Sequence, residues 1–364
     1  MTNLVLPNHL RNHRGFSRTF VPNRLTLGLI APFKPYPDTP IPNMEDFAEM
    51  ARIADRGGVA ALWVRDVPFY DPNFGDVGQG YDVAVTLGYL AAITKEIAIG
   101  TAGYVSPLRD PIITAKEAAS ADQLSAGRFI LGLSSGDRPV EYPAFDKTFE
   151  NRGERFRENW DIIRTLTETE FPVKSSRHSG ELTGNLDLLP KPFNGRLPMV
   201  TIGRSRQNLN WFAHQSDAWI WHGVDPSKAG EIVRKIADLG DDKTWHPFGY
   251  ANFVELLEDP NAPAELYNNI YLRGGANALV AFWQEQEAQG VAHITVNLKP
   301  SRRPALEVMQ DFVENVASRF KADSASVHNV ATLGRTGEFS DEELSRAGGF
   351  GEQFRRSFVD AAKK

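Results

Sequence analysis

Residues 97–134 read IAIGTAGYVSPLRDPIITAKEAASADQLSAGRFILGLS, and their pattern decides the fold. The run at 97–102 (IAIGTA) and the run at 128–134 (RFILGLS) are short, apolar and rich in strand-forming residues. Between them Asp110 supplies a side-chain oxygen for a helix start, Pro111 suits the first helical position, and Gly127 marks the stop. A strand, a capped helix and a second strand in so short a span make a βαβ unit, whose two strands lie parallel.

Outward from this unit the same alternation recurs about eight times. Upstream, residues 25–31 (LTLGLIA) form a strand and lead to a helix from Met44, capped by Asn43 with Glu45 and Asp46 in its first turn and ended by Gly57 and Gly58. Met44, Phe47, Ala48, Ala51 and Ala54 follow helical spacing and mark its buried face. A strand at 59–64 follows. Downstream, the next strand, 198–203 (PMVTIG), comes only after some sixty residues that hold one helix near 154–170 and a polar stretch. That interval is expected to be an excursion acting as a lid. Then come a helix from Ser205, strands at 218–222, 247–256 and 293–298, helices at 226–239 and 276–289, and a closing helix at 304–320. The expected fold is α/β, a (β/α)8 TIM barrel with an insertion after the fourth strand and a C-terminal extension. Its parts are an N-terminal arm (1–24), the barrel (25–320) and a polar tail (321–364) that packs on the barrel or on a second subunit.

The totals narrow the chemistry. The 40 basic and 46 acidic residues leave a net charge of −6 with no basic block, so a small molecule is a better partner than nucleic acid or an anionic membrane. Absence of cysteine removes disulfides, thiolate zinc sites and cysteine nucleophiles. The eight histidines are scattered, and no metal site is expected. The first twenty residues carry no signal-peptide core and no segment reads as a membrane span, so the protein is expected in the cytoplasm.

In a parallel barrel the loops after the strands form the working face. Gly203, Arg204, Ser205 and Asn208 sit at a strand end where a helix is expected to begin, which suits a phosphate, with a plain serine cap as the bland alternative. Residues 132–136 (GLSSG) match the nucleophile-elbow pattern of serine hydrolases at Ser134, but the following Asp137-Arg138-Pro139 reads as a loop where an elbow needs a helix. Ser134 and Ser135 instead offer a narrow ledge for a planar ring, as do Thr101 and Ala102 beside Gly100 and Gly103. Asp66, after the second strand, and His222, beside Trp221, are the candidate proton-transfer groups, each with a purely structural alternative. The charges at 152–155 (RGER) read as a solvated helix face.

The stretches LSAGRFILGLSSGDRPVEYPAF (124–145), IAIGTAGYVSPLRDPIITAKEAASAD (97–122), NRGERFRENWDIIRTL (151–166), ALWVRDVPFYDP (61–72), PMVTIGRSRQ (198–207) and SDAWIW (216–221) resemble the bacterial luciferase-like monooxygenases over roughly residues 25–320. The resemblance implies a (β/α)8 barrel, a homodimer, and FMN or the deazaflavin F420 at the strand tips. Phosphate contacts then fall on Arg204, Ser205 and Asn208, and the ring system lies along Thr101-Ala102, where the family often has a non-proline cis peptide, and Ser134-Ser135. Asp66 falls where many members carry a glutamate. Val67 stands where the luciferases proper have a proton-transferring histidine. These features point to a flavin-dependent oxidoreductase acting on a small organic molecule, with a separate flavin reductase as partner. FMN is preferred to F420 because no basic groove for a long polyanionic tail is evident. A flavin-binding protein without turnover and a serine hydrolase using Ser134 are the other readings.

Overall fold

The computed structural model describes residues 5–34, 43–74, 80–241 and 243–322. Eight strands close into a parallel barrel: β1 Thr26–Ala31, β2 Ala61–Val64, β3 Ala98–Thr101, β4 Phe129–Ser134, β5 Met199–Ile202, β6 Ala218–His222, β7 Phe248–Leu256 and β8 His293–Asn297. Each pairs in parallel with the next, and β8 returns to β1, so β8 stands opposite β4 across the ring. Closure removes any free barrel edge.

Alternation along each strand sorts side chains between two cores. Leu27, Leu29, Leu131, Leu133, Ile294 and Val296 pack outward against the helices, while Ile30, Trp63, Ile130, Val200 and Ile220 fill the lumen. The N-terminal arm closes the lumen floor. Its helices α1 (Asn8–Arg11) and α2 (Arg14–Thr19) bring Phe16 into the lumen core, joined there by Phe20 just beyond α2. Gly15 lets α2 approach: its N–H donates to Gly127 O at 3.0 Å, and a Cβ there would lie 2.3 Å from Arg128 O. Above the phenylalanines, Trp63 Nε1 donates to His293 Nε2 (3.0 Å), so the other ring nitrogen carries the proton toward Thr26 Oγ1 (2.7 Å), whose hydroxyl donates to Thr19 O. Burial lowers the His293 pKa to about 3 and keeps the ring neutral.

Helices α3 (Phe47–Gly57), α4 (Val83–Ile93), α5 (Pro111–Leu124), α6 (Arg152–Glu168), α7 (Leu209–Gln215), α8 (Ala229–Leu239), α9 (Ala276–Ala288) and α10 (Ala305–Asp311) surround the barrel. Asp110 caps α5 as its sequence requires, accepting from the N–H groups of Ile112 and Ile113. α3 starts at Phe47, not Met44, because Asn43 Oδ1 accepts from Glu45 N in a tight turn and Asp46 takes a φ of 59°. α7 starts at Leu209, not Ser205, for reasons given with the site. The closing helix is not uniform: α10 runs into a π turn at Phe312–Val316 and a 3-10 turn at Ala317–Phe320.

The excursion after β4 is not a lid. α6 is an ordinary barrel helix packed beside α5, and the hairpin Val173–Ser175/Glu181–Thr183 is tied to the side of α6 through Glu158 and Asn159. A second hairpin, Glu265–Tyr267/Tyr271–Gly274, continues the sheet from β7 and brings Ile270 to the barrel mouth. The tail expected at 321–364 lies, beyond residue 322, outside the described residues. Among the described residues no helix is long and apolar enough to cross a membrane.

Candidate functional site

A chamber of about 430 Å³ opens over the C-terminal ends of the strands. Trp63, Ile30 and Ile220 floor it, and the strand-end segments form its walls. On the side of β3, β4 and β5 the wall is a ledge of small residues: Ala102, Gly103, Ser134, Gly136 and Gly203. Packing forbids larger ones. A Cβ on Gly103 (φ 91°) would meet Ser134 Cβ and Oγ at 3.0 Å, and one on Gly136 (φ 72°) would meet Val105 Cγ1 at 2.7 Å. Opposite, β8 contributes Thr295 and Asn297 beside Phe253 of β7.

Asp66 lines the chamber, yet both carboxylate oxygens are engaged. Arg109 Nη2 donates to Oδ1 (2.7 Å) and Nε to Oδ2 (2.9 Å), while Val105 N also donates to Oδ2 (2.9 Å). This bidentate pair fixes the loop after β3 behind the ledge, so Asp66 is a positioning group and not a free proton carrier. The Arg109 guanidinium is correspondingly held well above its ordinary pKa by Asp66, against the opposing effect of burial. His222, at the tip of β6, reaches the chamber and stands across from Gly203. Two buried charges that the sequence reading did not single out, Arg138 and Glu141, come from the 3-10 segment after β4. Their charged atoms are 3.7 Å apart, and the guanidinium lies 4.0 Å above the Phe74 ring. Burial raises the Glu141 pKa.

The loop at 203–208 differs from its expected form. Ser205 does not cap a helix: its hydroxyl donates to Ile202 O (3.0 Å), and Ser205 and Arg206 hold left-handed conformations with φ of 43° and 58°. Asn208 is the cap of α7, its Oδ1 accepting from Trp211 N (2.9 Å), and it does not line the chamber. Consecutive left-handed residues make a tight concave turn of the kind that presents backbone N–H groups to an anion. Arg204 extends from this turn over the Trp221 ring. The turn abuts the start of α6, where Gly153 O accepts from Gln207 Nε2 (3.0 Å) and a Cβ on Gly153 would lie 2.8 Å from Arg206 Cβ. Arg152 is therefore not on a solvated face. It stacks 3.5 Å from the Phe149 ring centre, and its Nε is buried without a hydrogen-bond partner. Burial first and Arg206 second lower its pKa, a like-charge strain that an anion relieves.

Of the ten residues singled out from sequence, Asp66, Ala102, Ser134, Ser135, Gly203, Arg204, Ser205 and His222 line the chamber. Thr101 and Asn208 do not. The Thr101 hydroxyl donates to Gly132 O (2.6 Å) and accepts from Gly132 N (2.8 Å), locking β3 to β4. The Thr101–Ala102 bond is trans, the cis bonds among the described residues being Ala31–Pro32 and Leu189–Pro190. No helix springs from Ser134, whose hydroxyl donates to Gly103 O (3.1 Å), so the elbow reading fails on geometry.

A closed parallel barrel with a deep chamber over its strand tips defines a small-molecule-binding (β/α)8 protein. The luciferase-like monooxygenase profile matches residues 25–328, and the chain belongs to that family. It is 29% identical over 178 residues to the oxygenase component of flavin-dependent trigonelline monooxygenase from Acinetobacter baylyi, covering 47% of this chain and 46% of that protein. It is 25% identical over 200 residues to the alkanal monooxygenase alpha chain of Photorhabdus luminescens, covering 53% of each. The chain thus spans about half the length of these curated relatives. Among solved structures, a monooxygenase from Streptomyces bottropensis superposes with a TM-score of 0.66 at 15% identity over 80% of this chain and 98% of that one. The coenzyme F420-dependent tetrahydromethanopterin reductase from Methanopyrus kandleri gives 0.64 at 15%, over 82% and 100%. Both share the barrel.

Proposed function

We propose that the protein is a flavin-dependent oxidoreductase that holds FMN along the β3–β5 wall and oxidises a small organic substrate beside it. The observation that carries this reading is the ledge, which has no side chain large enough to block a planar ring, joined to the arginine-lined turn at one end. Arg152, Arg204 and Arg206 with Ser205 would hold the phosphate, and their chemistry fits one: an unpartnered buried N–H, like-charge strain and a concave backbone. When bound, the flavin supplies two-electron redox chemistry. The chain's own part is to orient the ring, exclude water and place His222, the exposed titratable group at the rim, near the substrate. A reductase supplying reduced FMN completes the reaction. A compact three-arginine cluster matches a single phosphate better than the long anionic tail of F420.

Titration of the purified protein with FMN, reduced FMN and F420, followed by absorbance and fluorescence, tests the reading. Saturable FMN binding and substrate-dependent reoxidation of reduced FMN are expected. F420 binding alone reassigns the cofactor, and no binding of any of the three ends the proposal. We further propose a homodimer formed through the apolar outer faces of α4 and α5.

A further inference from the structure

Thr295 and Asn297 are 3% and 1% exposed, and Thr295 Oγ1 and Asn297 Nδ2 are buried without a hydrogen-bond partner although both residues line the chamber. Buried polar groups are ordinarily satisfied, so two orphans two residues apart on one strand face point to a ligand that satisfies them. Asn297 Oδ1 accepts from Lys299 N (3.2 Å), which orients the amide with its N–H groups free. The pair therefore offers hydrogen-bond donors. β8 stands opposite β4 in the ring, so the donors face the ledge across the chamber and do not lie under it. The neighbouring lining residues Ile30, Phe253 and Ile270 are apolar, and an anion buried against them would lack a counter-charge.

We infer that Thr295 and Asn297 form the polar end of a substrate subsite that takes a neutral hydrogen-bond acceptor, a carbonyl oxygen, on an otherwise apolar body. This names the substrate class for the function proposed above and rests on the flavin occupying the opposite wall.

Acetophenone, α-methylstyrene and benzoate share one outline and differ in offering a carbonyl oxygen, a methylene or a carboxylate at the same place. Their affinities, measured by ligand-observed NMR on the full chain with and without FMN, test the inference. The wild-type protein is expected to bind acetophenone about tenfold more tightly than α-methylstyrene, as two neutral hydrogen bonds allow, and to disfavour benzoate. Thr295→Val, nearly isosteric, should lose part of that preference and Thr295→Val with Asn297→Leu all of it, while Thr295→Ser retains it. FMN affinity should stay within twofold throughout. Equal binding of acetophenone and α-methylstyrene by the wild-type protein, or tighter binding of benzoate, overturns the subsite. So does a double variant that loses FMN but keeps the carbonyl preference, since the pair then belongs to the cofactor. Because the preference is also read without FMN, failure of FMN to bind strikes the functional reading and leaves the subsite to be judged by its own ratio.

Discussion

At the scale of single residues, Arg152 separates a phosphate grip from general flavin affinity. Its Nε lacks a partner, its planar group is already held by Phe149, and Arg206 adds like-charge strain. An FMN phosphate relieves both costs, whereas riboflavin relieves neither. Arg152→Ala should weaken FMN by roughly 1.5–3 kcal/mol, the worth of a hydrogen bond to a charged group, and leave riboflavin unchanged. Equal losses for the two flavins in a fluorescence titration would remove the assignment. His293 makes a second prediction at this scale. Free histidine titrates near 6.5 and buried His293 near 3, so between those values the unfolded chain binds a proton that the folded chain does not. Stability is complete above pH 6.5 and falls as pH drops toward 3, by up to about 1.4 kcal/mol per pH unit from this one group. Urea titrations from pH 7 to 4 should show that slope. His293→Gln keeps an acceptor for Trp63 without the titration and should flatten it. Neither role is readable from neighbours in sequence: the contacts of Asp66 with Arg109 and of His293 with Trp63 cross 43 and 230 positions.

Elements with two-faced patterns were the legible ones. β6 matches its sequence bounds at Ala218–His222, and α5 has the cap and first-turn proline its sequence requires. α7 was misplaced by four residues because Gly-Arg-Ser-Arg looks like a cap, while the backbone spends Ser205 and Arg206 on left-handed turns and leaves the capping to Asn208. That error shifted the phosphate argument from a helix start to a tight turn, yet kept Gly203, Arg204 and Ser205 at the chamber. α4 gave no periodic signal because it has no charged face at all. The N-terminal arm reads as a polar leader to the barrel, although Phe16 and Phe20 plug the lumen. Truncating a fully buried aromatic there leaves a void under Trp63, so Phe16→Ala should cost roughly 3–5 kcal/mol. Calorimetry measures this directly, and a loss below about 1 kcal/mol would mean that the arm is not part of the barrel core.

For the whole molecule, the surface of α4 and α5 is the feature a single chain leaves unexplained. α4, VAVTLGYLAAI, is apolar around its full circumference, a composition expected of a helix covered on every side. Yet Val85 is 71% and Tyr89 49% exposed on one stripe, and the adjacent α5 exposes Ile113 at 58% and Leu124 at 69%. Gly88, between Val85 and Tyr89, has open space where its Cβ would stand, so another helix can approach closely. A second copy presenting the same stripe satisfies these faces symmetrically, and a stable interface of this kind buries about 1,200–2,000 Å² in total. Light scattering should give twice the chain mass for the wild-type protein. Val85→Asp with Ile113→Asp places four carboxylates in the two-fold interface and should yield monomers with little loss of fold, since both positions are exposed in the single chain. Val173→Asp, at an equally exposed valine on the hairpin beside α6, should leave the dimer intact. A wild-type protein that is monomeric at micromolar concentration, or a dimer indifferent to the paired aspartates, would place the contact elsewhere and leave the apolar stripe without an occupant.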